Sequence, residues 1–78
     1  MTGKSKQSPL YFFGRRLAHL RKVRSISQEE LALISGLARS YVSGVERGQR
    51  NISLVNICRL AEALHVPPSS LLEFSEES

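Results

Sequence analysis

The sequence predicts an all-α domain, a compact bundle of four to five short helices. Three observations carry that prediction. Apolar residues recur at helical spacing, as in Phe13, Leu17 and Leu20, or in Leu54, Ile57, Leu60, Ala61 and Leu64. Residues suited to starting or stopping helices fall between these runs: Pro9, Ser27, Gly36, Gly48, Ser53 and Pro68. No stretch alternates apolar and polar residues as a half-buried strand does, and no internal repeat is present.

The first helix is predicted to open at Pro9, whose fixed φ suits the first helical turn, and to end near Arg24–Ser25. Its apolar face carries Phe13, Leu17 and Leu20. The second follows "SISQEELALISG". Ser27 and Glu30 have capping-box spacing, each side chain satisfying a backbone N–H of the other. Leu31, Ala32 and Ile34 begin its apolar face, and Gly36 stops it in a left-handed conformation after about two turns. A third helix is expected from Ala38–Arg39 to Arg47, with Gly48 as its stop and Leu37, Val42 and Val45 facing inward. Ser53 caps a fourth helix with the Leu54–Leu64 stripe, "HVPPSS" breaks it, and Pro68 opens a short fifth helix carrying Leu71 and Leu72.

Length sets further bounds. With 78 residues, one domain is expected, and 41% apolar content is enough for a small core. The organisation reads as a disordered segment 1–8, a folded domain 9–74 with dimerising C-terminal helices, and an acidic tail 75–78. Cys58 is the lone cysteine, which excludes an intramolecular disulfide and reads as a small buried hydrophobe on the fourth helix. His19 and His65 read as surface or helix-end residues, too few with Cys58 to hold zinc. Neither a membrane span nor a signal peptide is apparent, so a cytoplasmic location is expected. The net charge is +4 and the pI about 9.8. Lys4, Lys6, Arg15, Arg16, Arg21, Lys22 and Arg24 crowd the first third, while Glu73, Glu76 and Glu77 close the chain. A basic body points to a polyanion, nucleic acid first.

The second and third helices are separated by a short turn holding Gly36, the spacing of a helix-turn-helix. That motif needs a small residue where the helices cross, which Ala32 supplies. It also needs phosphate-binding groups where the second helix begins, a role that fits Gln28. The run "SQEELALISGLARSYVSGVERGQRNIS" resembles the Xre-type helix-turn-helix family of phage repressor and Cro-like proteins. Within it, "SYVSGVERGQRNIS" is most like the controller proteins of restriction–modification systems. The resemblance covers about Phe13 to Leu72 and implies a lambda repressor-like DNA-binding domain. In that family a glutamate at the position of Glu46 pairs with an arginine on the first helix, and Arg21 stands at the matching position. An Arg21–Glu46 ion pair is therefore expected.

On a helix starting at Arg39, the residues Arg39, Ser40, Ser43, Gly44 and Arg47 share one face, opposite Val42, Val45 and Glu46. Arg39 has the fork that binds guanine O6 and N7, and Ser40 can bond a base edge or a phosphate. Ser43 lies on the base-reading face and also suits a phosphate. Gly44, without a side chain, would let the backbone approach DNA closely. Gln28, Tyr41, Arg47, Arg50 and Asn51 are the candidates for phosphate contact, which positions the protein and makes binding salt-dependent. Ala38 at the N-cap and Gly44 inside the helix each cost about 1 kcal/mol. In many members of the resembled family a longer side chain at the Gly44 position reads a base, which implies that here Arg39 and Ser40 carry more of the specificity, or that DNA shape does.

These features predict a sequence-specific regulator of transcription that binds a (pseudo)palindromic operator in double-stranded DNA as a homodimer. The dimer surface is expected at Ile57, Val66, Leu71, Leu72 and Phe74. The rival reading is a protein-interaction module such as an antitoxin that masks a partner, and the short Ser75–Ser78 tail weighs against it. No nucleophile–base pair is apparent, and no enzyme activity, cofactor or small-molecule ligand is expected.

Overall fold

Residues 8–74 are described by a computed structural model of the chain. Five helices run in order: α1 Pro9–Val23, α2 Gln28–Ser35, α3 Arg39–Glu46, α4 Leu54–Leu64 and α5 Pro68–Leu71, with no strand among the described residues. Apart from Ser8, the segment 1–8 lies outside the described residues, as does the tail 75–78.

Local hydrogen bonding accounts for the helix boundaries. Pro9 occupies the first turn of α1. At α2 the capping box closes in both directions: Glu30 N–H donates to Ser27 Oγ at 3.0 Å, and Ser27 N–H donates to Glu30 Oε1 at 2.7 Å. Gly36 ends α2 at φ 78°, where the N–H groups of Gly36 and Leu37 both donate to the Ala32 carbonyl. That left-handed turn lets α3 fold back across α2. Ala38 caps α3 with its backbone alone. The Ser53 hydroxyl accepts from the Asn56 N–H at 3.1 Å at the start of α4, and His65 ends that helix at φ 59°.

The core is built from Phe13 and Leu17 of α1, Leu31 and Ala32 of α2, Val42 and Val45 of α3, Leu60, Ala61, Ala63 and Leu64 of α4, and Leu71 of α5. Helix α1 lies against α3 and α5, α2 against α3 and α4, and α4 against α5. The α1–α3 approach is close. A Cβ on Gly14 would collide with the carbonyl oxygens of Val45 and Glu46, so α1 presses directly on the last turn of α3. Two residues farther along α1, Arg16 Nε donates to the Ser70 carbonyl at 2.7 Å and fastens α5.

Four side chains differ from their expected places. Ile34 is exposed, and of α2 only Leu31 and Ala32 are buried. Leu54 is 72% exposed, since α4 reaches the core only from about its second turn. Cys58 is exposed as well, one turn along from Leu54 on the outer side of α4. Leu71 is fully buried in the domain's own core, which removes it from any surface between subunits.

Candidate nucleic-acid interface

Helix α3 has two unlike faces. Val42 and Val45 are buried beneath it, while Arg39 and Ser40 are exposed at its start. The buried side is held by charge as well as by apolar packing. Arg21 reaches from α1 and grips Glu46 with two parallel bonds, Nε to Oε2 at 2.7 Å and Nη2 to Oε1 at 3.0 Å. Its Nη1 donates to the Ile26 carbonyl at 2.9 Å. Only 12% of the Arg21 side chain and 6% of the Glu46 side chain are exposed. Hydrogen bonding to Glu46 holds the guanidinium above its ordinary pKa, against a burial that lowers it. A fork-to-fork pair of this kind fixes direction as well as distance, so the clamp sets how α3 sits on α1.

The structure turns the Gln28 side chain inward. Its Nε2 donates to Glu46 Oε1 at 2.8 Å, making it a third partner of the clamp. Gln28 thus spends one amide N–H on Glu46, and the second is left for the expected phosphate contact. The start of α2 also leaves backbone open: Ser27 takes the N–H groups of Glu30 and Leu31, and the earlier N–H groups of the helix have no partner within it.

The expectation for Gly44 is corrected. It is buried rather than open, because the stem of Arg50 lies over it: an added Cβ would stand 3.0 Å from Arg50 Cγ. The missing side chain makes a shelf for Arg50 instead of a bare stretch of backbone. The Arg50 guanidinium then stands 5.8 Å from the centre of the Tyr41 ring. Tyr41 is half-buried, and its hydroxyl accepts from Asn56 Nδ2 at 3.1 Å, which leaves its own O–H to donate. Arg47 extends along the outer face, with Nη1 donating to Ser43 Oγ at 2.7 Å and Nη2 to Gln49 Oε1 at 3.1 Å. Asn51 is exposed in the loop before α4. Arg39, Ser40, Ser43, Arg47 and Arg50 thus border one side of the domain, a ridge of guanidinium and hydroxyl donors.

Two short helices with a left-handed glycine between them, the second clamped from behind and polar in front, form a helix-turn-helix. A helix-turn-helix family model (HTH_3) matches residues 17–71. The chain belongs to this family. The control protein C.BamHI of Bacillus amyloliquefaciens is 45% identical over 64 residues, covering 81% of this chain and 79% of that protein. Among solved structures, the restriction-modification controller protein C.AhdI of Aeromonas hydrophila superposes with a TM-score of 0.79 at 61% identity, over 80% of this chain and 94% of that one. The controller protein C.Esp1396I, crystallised as a tetramer with its natural 35 base-pair operator, superposes with a TM-score of 0.77 at 29% identity, over 83% of this chain and 86% of that one. The resemblance to Xre-type controller proteins is therefore upheld.

Within this helix-turn-helix protein, the residues expected at a dimer surface are spread over different environments. Ile57 and Val66 are half-buried against the core, Leu71 is inside it, and Phe74 stacks on Phe12 with ring centres 6.3 Å apart. Leu72 alone of the five is openly exposed, at 51%. Leu54 and Val55 at the start of α4 are exposed as well, as are Val23, Leu33 and Ile34. Spacing carries a signal for Val55, which shares a side of α4 with Arg59 and Glu62, but none for Leu54, which is in register with Ala61 and is left uncovered only because the core begins farther along the helix.

Proposed function

We propose that this chain is a transcription regulator that reads double-stranded operator DNA as a homodimer, with α3 in the major groove of each half-site. The observation that carries this reading is the division of α3: its inner side is locked by the Arg21–Glu46–Gln28 clamp, and its outer side presents Arg39 and Ser40. A reading helix must be held rigidly while its leading residues stay free. Arg39 is the base-reading group, bidentate to a guanine, with Ser40 beside it. Ser43 is tied to Arg47, so this pair acts on the backbone, together with Arg50, Asn51 and the Tyr41 hydroxyl. Two copies are needed because one α3 reaches only a few base pairs, and a two-fold axis places the half-sites about 34 Å apart. Leu54 and Val55 of α4, with Leu72, offer the apolar surface for the second copy. The controller protein C.Esp1396I, a tetramer on its operator, supports both parts of this reading.

Selection of binding sites from a randomised duplex pool, followed by gel-shift titration of wild-type and Arg39→Ala protein, tests the proposal. The expected outcome is a two-fold symmetric selected site. The variant should lose about 1–3 kcal/mol of discrimination at one base pair in each half-site. A pool that yields no consensus would refute sequence reading and shift weight to a protein-binding role.

A further inference from the structure

Tyr41 lies at the border between the buried and exposed sides of α3, and its hydroxyl is held from outside the helix-turn-helix. Its ring packs against the core, so the oxygen stands in a fixed place. Asn56, in the first turn of α4, donates from Nδ2 to that oxygen at 3.1 Å. The backbone N–H of Asn56 donates in turn to Ser53 Oγ at 3.1 Å, which pins the residue at the start of its helix. The Arg50 stem crosses Gly44 and brings its guanidinium 5.8 Å from the centre of the Tyr41 ring. A hydroxyl of α3, an amide of α4 and a cation from the loop between them therefore meet at one ring.

A phenol has a single proton to give, and it accepts only where that proton does not lie. The amide N–H of Asn56 fills the accepting side and turns the O–H away from α4. The direction matters because a phosphate oxygen of DNA takes a donor. A hydroxyl that already accepts a hydrogen bond is also polarised by it and donates more strongly. Without Asn56 the O–H would turn among several directions and would have to be ordered as DNA arrives, at a cost in affinity.

We propose that Asn56 is a positioning residue for DNA binding: by donating to the Tyr41 oxygen it presents the Tyr41 O–H to a backbone phosphate, with Arg50 beside it as the cation. This role rests on the reading of Tyr41 as a phosphate contact, and it adds α4 to the parts that decide how tightly DNA is held. Asn56 acts through Tyr41 and reads no base.

The test is a double-mutant cycle on binding to the selected operator, with N56A, Y41F and N56A/Y41F titrated beside wild type by fluorescence anisotropy. Thermal unfolding of each protein is recorded, and binding is measured well below the lowest melting temperature, so folding does not enter the comparison. Tyr41→Phe keeps the ring and removes only the hydroxyl. It should weaken a two-fold complex by about tenfold, roughly threefold at each half-site. N56A should lose about fivefold in the wild-type background and less than about twofold in the Y41F background, because the group it positions is already gone. Asn56→Asp supplies a second variant of the same shape. Its carboxylate accepts and cannot donate, so it draws the Tyr41 O–H inward. Its loss should exceed that of N56A, and the excess should shrink in the Y41F background. Equal losses from N56A in both backgrounds would overturn the positioning role, as would tighter binding by N56A, since the amide would then have been holding the O–H back. Y41F that binds as tightly as wild type would defeat the Tyr41 contact, and the positioning role with it, while operator reading through Arg39 would stand. Wild-type protein with no preference for the operator over a random duplex would defeat the DNA-reading function itself.

Discussion

Helices α3 and α4 are both short and amphipathic, and both sink one side into the same core, yet their outer sides have little in common. The outer side of α3 is cationic and hydroxylic, with Arg39, Ser40 and Arg47, and the helix is anchored from behind by an ion pair. The outer side of α4 starts with Leu54 and Val55 and turns polar only towards Arg59 and Glu62. The anchoring differs too. Four residues of α4 are buried, Leu60, Ala61, Ala63 and Leu64, whereas α3 buries Val42, Gly44 and Val45 and relies on the Arg21–Glu46 clamp for the rest. Inner faces decide the fold, and the outer faces differ in chemistry: cationic and hydroxylic on α3, apolar at the start of α4.

The comparison can be broken most forcefully at the inner face of α4. Leu60→Ala leaves a cavity where packing is complete and should cost about 2–5 kcal/mol. Urea denaturation should show a lower midpoint, and a loss under 1 kcal/mol would mean that the core collapses around the gap.

On α3 the corresponding cut is Glu46→Ala. It strands Arg21 and the Gln28 amide without their acceptor, at roughly 3 kcal/mol. Adding Arg21→Met should restore much of that stability, because the uncompensated charge leaves with it. If thermal unfolding shows the double variant no better than the single one, the clamp acts mainly through something other than charge pairing.

The outer face of α4 is probed by the double substitution Leu54→Glu with Val55→Glu. The dimer should weaken by at least roughly tenfold, since apolar surface is no longer removed from water. Sedimentation at matched concentration should shift to monomer. An unchanged sedimentation coefficient would place the second copy against another surface.

The smallest effect concerns the start of α3. Ala38 has the extended backbone of an N-cap and no side-chain acceptor. Ala38→Ser should stabilise the domain by about 1 kcal/mol, which raises Tm by about 4–8 °C. A calorimetric scan would show it, and no gain would mean that the hydroxyl prefers solvent to the helix start.

The boundaries of all five helices were legible in the sequence because the interactions that set them are local. Ser27 and Glu30, Gly36, Ser53 and the two helix-opening prolines act on backbone groups within a few residues, so spacing alone reveals them. The division of α3 was legible for the same reason, since a helix of known start assigns each residue to a side. The Arg21–Glu46 pair, which spans 25 residues, came into view only through family resemblance. Tertiary packing decided the rest. Gln28 turns in because α3 brings Glu46 beside it, Arg50 lies on Gly44 because the loop after α3 doubles back, and Tyr41 meets Asn56 because α4 crosses nearby. Periodicity likewise could not tell that Leu71 is enclosed while Leu54 stands in solvent. A helical stripe names the side that is apolar, but which turns of that side are covered depends on where the neighbouring helix ends. The sequence alone determined the helices, their order and the polar ridge of α3; the packing of one helix on another determined which donors stay free to meet DNA.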